Sequence, residues 1–316
     1  MKSNYIKGVF FLILSAFFFA LMAAFVKLSG EVPFVEKTIF RNSISFLVAL
    51  GSIIISVKKQ GFKTIIPQKE CFKYLFIRAF AGTAAIFGNF YAIDHLILAD
   101  AGILNKLSPF FAILFSLILI HEKIKFVPLF SIITAFAASL LVIKPSFNFS
   151  QSLPSFAGLL GGVGAGLAYA CVRKLGLLKC NGNVVIFCFS AFSVLVSLPF
   201  VIFNFQPLTL KQFIYLVLSG LCAAGGQFSI TKAYYNAKAS EISIYDYTQI
   251  FFSSALGFIF FKEIPDLLSF IGYIVIISMA LLNFFYVKKQ NKKDSESALV
   301  ETKSNSNTNP ESNLKE

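Results

Sequence analysis

Apolar runs of about 20 residues recur along this chain from residue 6 to residue 287, separated by short connections that hold most of the charges. A helix of that length crosses ~30 Å of hydrocarbon at about 1.5 Å per residue. So many runs mark an integral membrane protein. Composition agrees, with 57% hydrophobic and 14% charged residues, where a soluble domain has about a quarter of its residues charged. Little chain is left for a folded soluble domain. The net charge of +13 would point to nucleic acid in a soluble protein; here the cations fall in loops, and no nucleic-acid partner is expected beside the lipid bilayer.

Ten spans are expected, near residues 6–27, 34–57, 72–93, 96–120, 126–143, 156–172, 184–204, 213–235, 237–261 and 267–287. The first is long, lacks a small-x-small cleavage site and precedes many others, so it reads as a retained helix rather than a signal peptide. Short connections place consecutive helices antiparallel. Lysine and arginine gather in alternate loops: Lys58, Lys59, Lys63, Lys69 and Lys73 in one, Arg173, Lys174 and Lys179 in another, and "VKKQNKK" after the last span. Cationic loops stay in the cytoplasm, so both termini are expected there, in a multi-pass protein of a bacterial-type inner membrane. The polar residues 288–316 are expected to form a disordered tail. Cys71, Cys171, Cys180, Cys188 and Cys222 include no CxxC pair and join only His95 and His121, so neither a metal site nor a cofactor is expected.

The chain repeats itself. A shift of 141 positions lays "ADAGILNKLSPFFAILFSLILIHE" over "SEISIYDYTQIFFSSALGFIFFKE" without a gap. Asp100 falls on Glu241, Phe110 and Phe111 on Phe251 and Phe252, and Glu122 on Glu263. Acidic and aromatic positions in phase over so long a stretch indicate a true internal repeat. Halves of five spans enter the membrane from opposite sides, which makes the repeat inverted, with a midplane site between the halves. The fold class expected is all-α, in two inverted five-helix repeats: residues 1–143, an external linker at 144–155, and residues 156–287.

Several pieces carry a resemblance: "IFRN" early in the second span, "FYAI" at 90–93, "LSPFFAILFSLILIHEKI" with Pro109 and Glu122, and "IFFSSALGFIFFKEIPD" with Glu263. Together they resemble the drug/metabolite transporter superfamily, in its ten-helix branch built from two EamA-type halves, over nearly all of residues 6–287. The resemblance implies a secondary active transporter, usually an exporter or exchanger, of amino acids, nucleotide-like metabolites, S-adenosylmethionine, riboflavin or drugs. The absence of any GxxxxGK[ST] stretch fits transport without ATP. Two departures stand out: no tryptophan occurs, Phe19 and Tyr169 standing where relatives often carry one, and Ile250 replaces a second proline.

Lys106 lies ten residues into its span, about 15 Å deep and so close to the midplane. A central lysine costs roughly 2.5–3.5 kcal/mol on insertion scales. It should face protein, water or substrate. The shift lays its neighbour Asn105 on Asp246, the one acidic residue deep in the span 237–261, so Lys106 and Asp246 are expected to share a cavity. Two readings stay open: Lys106 attracts a substrate carboxylate or phosphate while Asp246 binds an ammonium or carries a coupling proton, or the two simply neutralise each other. Gln249 shares the face of Asp246 and Tyr245 flanks it. Asn89, Tyr91, Gln227 and Tyr169 are further candidates to touch substrate, with interhelical hydrogen bonding the alternative for the polar groups. Arg41 is read as helix packing ahead of an electrostatic entrance, and Glu122 and Glu263 as capping or pairing with loop lysines. Pro109 is expected to kink its span just after Lys106, as a gate or as cavity shape. Gly158, Gly162 and Gly166 follow the small-xxx-small pattern of close helix packing.

The function expected is secondary transport of a small polar metabolite (amino acid, S-adenosylmethionine or nucleotide-like compound) by alternating access. A lipid-linked-sugar flippase is the alternative. An intramembrane enzyme lacks support, since no HExxH, carboxylate pair or serine/histidine set occurs in the spans. A homodimer is left open.

Overall fold

The structure is a computed structural model that describes residues 4–96, 98–144, 152–204, 206–262 and 264–307. It is all-helical among these residues: α1 (Tyr5–Leu28), α2 (Phe34–Gln60), α3 (Lys69–His95), α4 (Leu98–Asn105), α5 (Ser108–Ile120), α6 (Phe126–Ile143), α7 (Ser152–Leu177), α8 (Gly182–Asn204), α9 (Leu210–Asn236), α10 (Ala239–Ile242), α11 (Thr248–Phe261) and α12 (Leu267–Asn307). Nine stretches of the described helix are long and apolar enough to cross a membrane, with α4 and α5 sharing one crossing. The tenth, residues 237–261, consists of α10, a 3-10 stretch Ser243–Tyr247 and α11.

From α3 onward the helix ends follow the repeat. Adding 141 to the ends of α3 gives those of α9, and the same shift carries the start of α6 to the start of α12. Packing obeys it too: α3 on α7 mirrors α9 on α1, α5 on α7 mirrors α11 on α1, and α2 meets α8 as α6 meets α12. The dominant contacts therefore run between the halves and come in two-fold-related pairs, as an inverted repeat requires.

Close approach at α7 depends on its glycines. A Cβ on Gly162 would stand 2.5 Å from the Leu104 carbonyl oxygen, and one on Gly166 2.3 Å from the Phe111 Cβ. Both substituents would overlap α4 and α5, so small residues there set the spacing. Polarity is turned inside out relative to a soluble bundle. Ser15, Ser131, Ser139 and Ser190 are buried, Asn42 donates to Ser193 across 2.7 Å, and Leu47, Phe76, Leu195, Phe258 and Ile274 face outward.

One face gathers the N-terminus and the basic loops. Asn4 N donates to Asn236 O (3.1 Å), Asn181 Nδ2 to Thr64 O (3.5 Å), and Ala239 N to Glu122 Oε2 (3.2 Å). On the opposite face Lys144 pairs with Asp266, and Gln206 N donates to Glu36 Oε1 at 2.7 Å. After residue 287, where a disordered tail is expected, α12 runs on to Asn307; lysine, glutamine, glutamate and alanine extend a helix already nucleated in the preceding turns, and residues 308–316 lie outside the described residues. Residues 145–151, most of the expected linker, lie outside the described residues, as does Glu263, and α7 starts at Ser152.

Candidate functional site

Two crossings break at symmetric places. Helix α4 ends at Asn105, residues 106–107 form a turn, and α5 starts at Ser108; its counterpart loosens into the 3-10 stretch Ser243–Tyr247 before α11. Broken helices free backbone carbonyls in a region without water, which must find other donors. Each break supplies the other. Tyr247 Oη donates to Lys106 O (3.0 Å), and Lys106 Nζ donates to Asp246 O (3.3 Å).

Lys106 Nζ also donates to Asp246 Oδ2 at 2.9 Å and to Gln249 Oε1 at 2.7 Å. All three ammonium donors are thus engaged inside the protein, and both ion-pair partners are 8% exposed. The pair joins the two halves near the midplane. Its geometry is that of the neutralising ion pair.

Beside the pair lies a cavity of about 120 Å³. Seven of the residues singled out in the sequence line it: Asn89, Asn105, Lys106, Tyr169, Gln227, Asp246 and Gln249. Phe19, the other residue at a tryptophan position, joins them. Three expected residues sit elsewhere. The Tyr91 ring packs on His95 with centroids 4.1 Å apart, one turn on along the same helix. Tyr245 turns away: its hydroxyl bonds to Tyr5 Oη (2.8 Å) and donates to Ala280 O (3.2 Å), because a residue next to Asp246 on a helical stretch points to another face. Pro109 does not kink a continuous helix. It occupies the first turn of α5, where a missing N–H costs nothing; the break precedes it, and the second half breaks without a proline.

The cavity also holds two arginines, Arg41 of α2 and Arg78 of α3. Arg41 was assigned to packing and Arg78 left unweighed, although a cation six residues into the span 72–93 is a signal of the same kind as Lys106. Arg78 Nη2 donates to Gln227 Oε1 at 3.1 Å, and its guanidinium lies 4.0 Å from the centre of the Phe189 ring. Neither arginine has an ion-pair partner among the described residues, and the Nε of each is buried without a hydrogen bond.

Toward the basic face the space between the halves is filled. Tyr169 stacks on Tyr234 with centroids 5.4 Å apart, and Tyr234 is 1% exposed. Arg173 Nε donates to Glu122 Oε1 at 2.8 Å, and its Nη1 reaches Tyr234 O and Tyr235 O at 3.2 and 3.4 Å. Glu122 therefore pairs with a helix arginine of the other half, rather than a loop lysine, and its second oxygen accepts from Ala239 N.

The EamA-like transporter family matches the chain twice, over residues 6–144 and 153–285. The chain belongs to the EamA-like transporter family. The pseudopaline exporter of Pseudomonas aeruginosa is 30% identical over 273 residues, covering 86% of this chain and 93% of that protein. Mouse solute carrier family 35 member G1 is 30% identical over 272 residues, covering 82% of this chain and 73% of its own. A solved crystal structure superposes with a TM-score of 0.77 over 91% of this chain and all of its own, at 15% identity, which is a likeness of fold alone. This EamA-like chain is thus a multi-pass membrane transporter of the drug/metabolite superfamily and not an enzyme.

Proposed function

We propose that this protein is a secondary transporter that moves a small polar metabolite across the cytoplasmic membrane by alternating access, as an exporter or exchanger, with both termini in the cytoplasm. The observation that carries the reading is a polar midplane cavity at the junction of two broken crossings, filled in on the basic side by contacts between the halves. In this reading the structure is the state closed to the cytoplasm. Opening that side requires Arg173 to leave Glu122 and the two-fold-related helices to rock, while Lys106 and Asp246 remain at the pivot. The export direction rests on the named activity of the Pseudomonas relative.

The backbones of Asn4 and Asn236 are hydrogen-bonded across the halves at this face. Asn4→Cys/Asn236→Cys in a background without the natural cysteines should therefore cross-link on oxidation. Counterflow in proteoliposomes, with amino acids, nucleotide-like metabolites, S-adenosylmethionine and pseudopaline as cargo, is expected to stop when the link forms and to return on reduction. Unchanged flux at full cross-linking would overturn alternating access.

A further inference from the structure

The sequence directed attention to Lys106, yet its ammonium is fully engaged by Asp246 and Gln249. The uncompensated charge of the cavity lies elsewhere. Arg41 is 8% exposed and Arg78 3% exposed, and no carboxylate among the described residues pairs with either. Glu36, the acid nearest Arg41 in sequence, accepts a hydrogen bond from Gln206 N instead. Counting Lys106 and Asp246 as a neutral pair, the lining carries two excess positive charges.

Two buried cations without counter-ions are costly in a low-dielectric interior. Deep charges in a membrane protein persist where they serve a pathway or a ligand. Arginine is the fitting residue for this, since its planar fork matches a carboxylate with two parallel hydrogen bonds. Gly82 leaves room for the Arg78 guanidinium beside α3. Gly82, one turn further along α3, would with a Cβ stand 2.2 Å from Arg78 Nη1 and 2.9 Å from the Phe189 ring. Absence of that carbon lets the guanidinium lie along the helix, stacked on Phe189, with Nε left unbonded.

We propose that Arg41 and Arg78 form the anion-binding part of the transport site, and that the cargo is an organic dianion, with two carboxylates that replace the missing counter-ions. This rests on the transporter reading given above and narrows its substrate class.

The test uses the full-length protein purified in detergent, with succinate, glutamate, acetate, phosphate and chloride as probes at matched ionic strength. The dicarboxylates are expected to raise the melting temperature, and acetate and chloride to leave it in place; phosphate raising it as far as succinate would overturn the organic cargo. Arg41→Gln and Arg78→Gln should each weaken dicarboxylate binding by about ten- to a hundredfold, the loss of a charged hydrogen bond. Gly82→Ala should weaken it in the same direction while keeping both charges. Without ligand, the two arginine variants should melt at or above the parent, because each removes an uncompensated buried cation. A fall in unliganded melting temperature together with unchanged dicarboxylate binding would make the arginines structural and overturn the proposal. Proteoliposome flux of a cationic cargo that survives both substitutions would also overturn it and leave the transporter reading standing; a cross-link without effect on flux would instead overturn alternating access and leave the anion site standing.

Discussion

In the first half of the chain, α2, α3 and the break between α4 and α5 bring Arg41, Arg78 and Lys106 to the cavity, three cations without an acid; the second half answers with Gln227, Asp246 and Gln249, one acid and two amides. Helix α3 superimposes on α9 under the shift of 141, but its charge is not repeated: Arg78 corresponds to Ser219, whose hydroxyl turns back to Leu216 O at 2.9 Å. The repeat preserves helix length and small-residue contacts, which only limit size and polarity. Charges in the cavity answer to each other, so duplicated positions were free to diverge into complementary partners.

The largest effect is expected where the halves depend on each other electrostatically. Asp246→Asn leaves the Lys106 ammonium buried without its carboxylate, at about 3–5 kcal/mol. The double variant Lys106→Gln/Asp246→Asn should recover most of that loss, as read by thermal unfolding in detergent. Additive losses would mean that the two side chains do not act as a pair.

A smaller effect separates scaffold from site. Gly166→Ala forces a methyl into Phe111 and Ala112 of α5 and should cost about 1–3 kcal/mol, as overpacking does. Gly51→Ala meets nothing within 4 Å, and alanine in a helix should stabilise it by up to about 1 kcal/mol. Equal melting temperatures for the two would remove the claim that glycine spacing sets the contact between halves.

The smallest effect is at the rim opposite the basic face. Hydrogen bonds from Lys144 and then Ser269 hold the Asp266 carboxyl down to about 2, below its ordinary 3.8. A depressed carboxylate stabilises the fold above its unfolded value and loses that contribution as pH falls from 3.8 toward 2. Asp266→Asn should flatten this part of a melting-temperature profile against pH. A profile unchanged by the substitution would show that the exposed rim pair adds nothing measurable.

Much of the site was legible in advance. Lys106 and Asp246 stood out because a charge at the midplane of an apolar run is conspicuous, and the shift of 141 then set them near one axis. Tyr245 and Tyr91 were misplaced for a local reason: polarity shows that a group needs a partner, and the direction of its helix face decides which, within a broken crossing for Tyr245 and in the last turns of α3 for Tyr91. The 3-10 stretch Ser243–Tyr247 escaped notice because it contains no proline or glycine. Its cause lies in the facing helix, whose own break offers Lys106 and accepts Tyr247.

Length and apolarity of the runs, the alternation of basic loops and the repeat follow from one-dimensional spacing, so the sequence alone determined the ten crossings and their inverted arrangement. Which charges neutralise each other followed only from tertiary structure. Lys106 is closed off because Asp246 and Gln249, some 140 residues away in sequence, converge on one ammonium. Arg41 and Arg78 are left uncompensated because no carboxylate among the described residues was brought within reach, and reach is a property of the packed helices.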